Sequence, residues 1–291
     1  MTQTKPLAPR GVSLSALAAQ YDAFHAARGR TDLVTRLYAT AMGEDYPVEV
    51  AASSSCDWPL LGLMTTRLRM TPGQVLVDAG CGNGGIGLWL TRALAARLHG
   101  LDISPVAIKQ ARARLPQFVT GIRATFRVGS VDDTGLPDRF ADGIIGVDAL
   151  GAMPDRAAVL RELGRVLAPG GRLVLTRGLR REAEPPWEEE ARAAGLVVEH
   201  VDERPGEPAT WSRLYHLWLD HADDLRRELG AAQADYMLAE ARRVLPTLRG
   251  RRAVLLTLRR PTDSGGGSAD TMTAPGRLRT AGPTPGERTP Q

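Results

Sequence analysis

Apolar positions along the chain follow two periods, and the change between them falls near residue 70. After Ser13, the residues Leu14, Leu17, Ala18, Tyr21 and Phe24 recur at three- and four-residue spacing. This predicts a helix capped by Ser13 and stopping near Gly29. Leu33, Val34, Leu37, Tyr38 and Ala41 repeat the pattern behind Thr31 as cap, as far as Gly43. A third helix is expected over 60–70, closed by Pro72-Gly73. From Gln74 onward, short aliphatic runs alternate with helical stretches. Strands are expected at 74–78, 97–101, 125–128, 143–147, 172–176, 196–201 and 253–258. Helices are expected between them, including one capped by Ser104 with Pro105 first and one capped by Asp155. Such alternation reads as an α/β fold built on a doubly wound sheet. Ahead of the last strand, 208–250 carries two helical patterns, 211–229 and 231–248, as an insert. Residues 1–12 and 261–291 are too polar to bury a core and are expected to be disordered.

The stretch Val75-Leu76-Val77-Asp78-Ala79-Gly80-Cys81-Gly82-Asn83-Gly84-Gly85 is the most informative. It reads as a strand, a tight turn and a helix start, which holds a nucleotide-like ligand against backbone N–H groups. Gly80, Gly82 and Gly85 match the dinucleotide spacing, and Asp102 suits a ribose whichever nucleotide is bound. Asp78 sits where dinucleotide folds keep an apolar residue, and it favours a ligand with a cationic amino group. The chain's two lysines, Lys5 and Lys109, belong to no Tyr-x-x-x-Lys pair, so short-chain dehydrogenase machinery is missing.

Three motifs in order, Asp78-x-Gly80-x-Gly82-x-Gly84, Asp102-Ile103-Ser104 and Leu167-Ala168-Pro169-Gly170-Gly171, resemble the class I S-adenosylmethionine-dependent methyltransferases over about residues 70–260. The resemblance implies a Rossmann-like seven-stranded sheet with its last strand antiparallel. The helices ahead of the first strand have to pack as a cap over the carboxyl ends of the sheet or along its edge, which gives an N-terminal helical cap over 13–70 and a cofactor domain over 71–260. The resemblance also implies S-adenosylmethionine as cofactor, with Gly80, Cys81, Gly82 and Gly84 around the methionine portion and Asp78 near its ammonium. Asp102 would take the ribose hydroxyls, since one carboxylate accepts two hydrogen bonds. Ile103 would lie on an adenine face, with Ser130 and Val131 at the adenine edge. Ser130 stands where the family carries an acid; either its hydroxyl accepts in the acid's place or Asp132 does so after a small loop shift. Asp148 would end the fourth strand beside the sulfonium. Family members often place a histidine four residues on, where this chain has Ala152. Catalytic candidates are therefore Asp148 and, from the insert, Tyr215 and His216, with His221 nearby. Trp211, Tyr215 and Trp218 form one helical stripe read as either acceptor wall or packing, and Tyr21, Tyr46 and Trp58 are candidates to close over the cofactor.

Composition narrows the picture further. The chain has 291 residues, a net charge of +4 and two cysteines, Cys56 and Cys81, too few for a disulfide framework. Basic residues are almost all arginine and scatter over several helices, so no nucleic-acid partner is expected; nor is a metal, for want of evident ligands. No signal-peptide core or membrane-length apolar run is visible, and a cytoplasmic monomer or homodimer is expected. No Asn/Asp-Pro-Pro-Tyr follows the fourth strand, and Thr176-Arg177-Gly178 lacks the magnesium ligands of catechol-type enzymes. The expected function is methyl transfer to a small organic acceptor, similar to enzymes that decorate bacterial secondary metabolites. RNA or protein methylation, and a non-methylating cyclase on the same fold, are the alternatives.

Overall fold

The computed structural model describes residues 13–119, 123–153 and 155–263. The terminal stretches expected to lack structure lie outside these residues, except 261–263. Helices α1 (Leu14–Arg28), α2 (Leu33–Met42) and α3 (Trp58–Leu68) precede the sheet. Ser13 caps α1, accepting from the Ala16 N–H at 3.2 Å. Thr31 stands one residue before the actual cap of α2, Asp32, and accepts from the Leu33 N–H. Asp57 caps α3, which therefore starts and ends two residues earlier than its apolar run suggests.

The sheet comprises β1 (Val75–Ala79), β2 (Arg97–Asp102), β3 (Ala124–Val128), β4 (Ala141–Gly146), β5 (Leu167–Arg180), β6 (Val197–Glu203) and β7 (Arg251–Arg259). Its order is β3-β2-β1-β4-β5-β7-β6. Strands β1 to β5 pair in parallel, and β7 runs antiparallel between β5 and β6. The order turns outward in both directions from β1 and β4. A crevice opens at their carboxyl ends, where doubly wound sheets take ligands. Strand β5 extends four residues beyond its apolar run because β7 pairs with it as far as Arg180.

Both sheet faces are covered. One carries α6 (Arg156–Val166) and α7 (Trp187–Ala193), with Val159, Leu163 and Trp187 on Ile144 and Leu173. The other carries α3, α4 (Gly85–Leu94) and α5 (Pro105–Phe118), with Leu60, Met64, Leu88 and Ile108 around Leu76 and Val174. Helix α3 is thus a sheet-covering helix, and the expected cap over 13–70 shrinks to α1 and α2. A third core joins α2 to α8 (Glu207–Asp220), α9 (Ala222–Leu229) and α10 (Ala231–Val244) through Tyr38, Trp211, Tyr215, Trp218, Met237 and Leu238. The insert's first predicted helix is broken at His221, whose φ of −103° and ψ of 28° leave the helical range. Cap and insert are one body, built from stretches that neighbour each other only in space. Among the described residues no helix is long and apolar enough to cross a membrane.

Candidate cofactor and acceptor site

A cavity of about 440 Å³ lies over the carboxyl ends of β1 to β4. Its floor is the β1–α4 turn with Gly80, Cys81, Gly82 and Asn83; Asp102 and Ile103 follow β2, and Gly129, Ser130 and Val131 follow β3. Val147 and Asp148 follow β4, while Tyr21, Phe24, His25 and Arg28 of α1 form the roof with residues 51–54. Gly80 and Gly82 have φ of 80° and 52°, a backbone region in which a side chain would be strained.

Asp102 is nearly buried, and its carboxylate organises the floor. Oδ2 accepts from the Gly82 N–H at 2.8 Å and Oδ1 from the Ser104 N–H at 2.9 Å. The residue lines the cavity. The Ser130 hydroxyl donates to the Asp132 carboxylate. Burial holds the Cys81 thiol well above its usual range, so it stays protonated as part of the wall.

Two residues expected around the methionine portion, Asp78 and Gly84, are not among those lining the cavity. Asp78 does not border the cavity: it is 3% exposed, and its carboxylate accepts from the Gly87 N–H of α4 at 3.1 Å. Burial, and then the neighbouring Asp102 charge, push it up to about 7. It braces the turn from beneath, because α4 begins close enough to β1 for its first amides to claim the carboxylate. Gly84 also faces away, since a Cβ there would meet Ala111 and Phe126 at 2.8 and 2.9 Å. Its φ of 77° and its missing side chain let α4 pack on α5 and β3.

The catalytic candidates separate. Asp148 lines the cavity with a φ of 54°, a strained value for a residue with a side chain. Its carboxylate accepts from the Ser55 N–H at 2.8 Å, and from the hydroxyls of Ser55 and Thr176, each at 3.1 Å. It clamps the roof loop, which Arg204 holds from the other side through the Ser55 carbonyl at 2.6 Å and Asp57 at 3.1 Å. Tyr215 is fully buried in the helical core, outside the cavity, and donates to Glu240 at 2.9 Å. Burial raises its hydroxyl far above the usual range. His216 lies on the opposite side of α8, exposed, with Nδ1 at 2.7 Å from the Ser212 carbonyl. Neither reaches the cavity, because the aromatic stripe turns toward α2 and α10 and packs there. Tyr46 and Trp58 are likewise elsewhere, packed on Tyr38 and Trp89; of the three candidate lids only Tyr21 lines the cavity.

Sequence reading missed Phe24, His25, Arg28, Asn83 and the 51–54 loop. His25 is the one imidazole that borders the cavity among the described residues, and its Cε1 would lie 3.5 Å from a Cβ on Gly82. Its only signal in the sequence was a place on the polar flank of an amphipathic helix.

A protein-family profile described as "Methyltransferase domain" matches residues 77–175, which hold the glycine turn, Asp102 and Asp148. Over residues 77–175 the chain carries a methyltransferase domain. Methyltransferase GfsG of Streptomyces halstedii is 34% identical over 109 residues, covering 38% of this chain and 39% of its own length. The 27-O-demethylrifamycin SV methyltransferase of Amycolatopsis mediterranei is 30% identical over 156 residues, covering 53% and 55%. The chain thus spans about half or less of these curated relatives' length. The crystal structure of the cyclase SpnF superposes with a TM-score of 0.68 at 22% identity, over 86% of this chain and 98% of SpnF. That likeness shows that the methyltransferase domain sits in a fold shared over nearly the whole described chain.

Proposed function

We propose that the methyltransferase domain binds S-adenosylmethionine in this cavity and transfers its methyl group to a small organic acceptor. The observation that carries the reading is Asp102. It is a nearly buried carboxylate set on the cavity wall between a glycine floor and the apolar Ile103 and Val131. Such a wall fits a ribose flanked by a flat base, and about 440 Å³ lies within the range of small-molecule sites. The cofactor supplies a methyl group on a positively charged sulfur, open to displacement.

The chain's own residues have to orient the acceptor and exclude water. Helix α1 and the Ser55 loop roof the cavity, and Tyr21 and Phe24 offer aromatic faces to an acceptor. Alignment of the reacting atoms is worth several orders of magnitude in rate. Where the acceptor arrives protonated on oxygen or nitrogen, His25 accepts that proton. The Tyr21 hydroxyl, raised above its usual range chiefly by burial, stays protonated and donates. The relative named 27-O-demethylrifamycin SV methyltransferase favours a secondary-metabolite acceptor, and the roof of α1 and residues 51–54 favours a small molecule over RNA or protein.

Titration calorimetry with S-adenosylhomocysteine and, separately, with NAD tests the cofactor. Methyl-labelled S-adenosylmethionine with a small-molecule extract tests transfer. Heat with the first ligand only, and label in one small product, are expected. Heat with NAD alone would overturn the reading, and cofactor binding without S-adenosylhomocysteine release would favour a non-methylating cyclase.

A further inference from the structure

Behind Tyr21 and Phe24 the cavity meets a smaller recess of about 40 Å³ between α1, α8 and α10. Tyr21, Phe24, Arg28 and Ser53 border both spaces. Four nitrogens of the recess residues are buried without a hydrogen-bond partner: Arg28 Nε and Nη1, Trp218 Nε1 and Gln233 Nε2. The Gln233 amide can turn its oxygen inward, whereas guanidinium and indole can only donate. No lone buried side-chain acceptor borders the recess among the described residues. Its carboxylate, Glu240, takes the Tyr215 hydroxyl and also lends its charge to Arg28. Arg28 lies over the Phe24 ring, 3.6 Å from its centroid, and the Tyr38 hydroxyl bonds to its guanidinium. Folded proteins rarely leave buried donors unpaired, and charged ones least of all. A surplus made of donors calls for a hydrogen-bond acceptor.

We propose that this recess seats an sp2 oxygen of the methyl acceptor, a carboxylate or a carbonyl, against Arg28 and Trp218. The rest of that molecule then extends into the main cavity. Calling the ligand the methyl acceptor rests on the methyltransferase reading; the chemistry of the recess does not. Its size admits only such a terminal group, and the shared wall at Tyr21 and Phe24 lets the remainder reach the glycine floor. Arg28 is then a specificity-determining residue, which selects acceptors bearing an oxygen at the end remote from the methylated atom.

The test uses the full chain with 15N-labelled tryptophan, the Trp218 indole signal being assigned through Trp218→Phe. Acetate, acetamide and methylammonium are titrated separately at constant ionic strength. Acetate and, more weakly, acetamide should shift the Trp218 indole saturably, and methylammonium should not. Arg28→Met should weaken the acetate response by about tenfold or more, because a charge-assisted hydrogen bond is lost. Arg28→Lys should retain part of it; if Arg28→Met does not fold, the wild-type and Arg28→Lys titrations decide. No shift with either oxygen compound would mean that the recess holds water alone, and a larger shift with methylammonium would mean that Glu240 governs it; both overturn the proposal. Calorimetry with S-adenosylhomocysteine on the same protein reports the parent reading separately. Heat without an acetate shift sinks only the recess, and the reverse sinks only the methyltransferase assignment.

Discussion

Replacing Asp78 by asparagine removes a buried charge and keeps an oxygen to accept from the Gly87 N–H. In the folded protein the carboxyl is pushed from 3.8 up to about 7, chiefly by desolvation and next by repulsion from Asp102. The folded state therefore binds this proton more tightly than the unfolded chain. The sign follows from linkage: the contribution is fully present below about pH 4 and is lost as pH rises through about 7. At roughly 1.4 kcal/mol per pH unit, the shift amounts to about 4 kcal/mol across that window. Urea unfolding at several pH values should show wild-type stability falling between pH 4 and 7 relative to Asp78→Asn. The variant should be the more stable protein at pH 8. Cofactor affinity, read by calorimetry with S-adenosylhomocysteine, should change by less than about tenfold, because Asp78 lies beneath the turn and not on the cavity wall. Parallel pH profiles for the two proteins, together with a loss of cofactor affinity well beyond tenfold, would place the carboxylate on the ligand and refute the reasoning.

Asp102→Asn should weaken S-adenosylhomocysteine binding by about 1.5–3 kcal/mol, some ten- to a hundredfold, since charge-assisted bonds are lost; calorimetry checks it. His25→Ala should lower kcat for a hydroxyl acceptor by about 100-fold or more, while cofactor affinity holds. Tyr215→Phe should cost about 1–3 kcal/mol in chemical denaturation, by leaving Glu240 Oε1 without its buried donor, and should leave kcat within about threefold, because the hydroxyl is sealed in the helical core. Glu162 is held at about 2 by Arg165 and Thr134, so its contribution is present above pH 4.5 and fades as pH falls toward 2. Acid unfolding of Glu162→Gln should therefore be less steep than that of the wild type.

The residues that local chemistry names were legible early. A strand of aliphatics followed by glycines admits few backbone paths, so the turn at 80–84 and the carboxylate after the next strand could be placed from the chain alone. Capping by Ser13, Ser104 and Asp155 was legible for the same reason, since a cap bonds within three residues of itself. What a side chain faces was not legible. Tyr215 and Trp218 have a spacing that fits a pocket wall or a helix interface equally well, and only the approach of α2 and α10 decided for the interface. Asp78 has the spacing of a ligand contact, yet the first amides of α4 claimed it.

From its sequence alone this protein determined a doubly wound sheet, the glycine turn, the order of its elements and the place of Asp102, because each depends on periodicity or on neighbours a few residues away. The tertiary structure alone decided the roof. The Asp148 clamp on Ser55 spans 93 residues and the Arg204 clamp 149, and α1 meets α10 across most of the chain. Such contacts leave no periodic trace, because a hydrogen bond between distant residues constrains geometry at two points and composition at neither. His25 and Arg28, which face the cavity from α1, were hidden for that reason until the helices were packed.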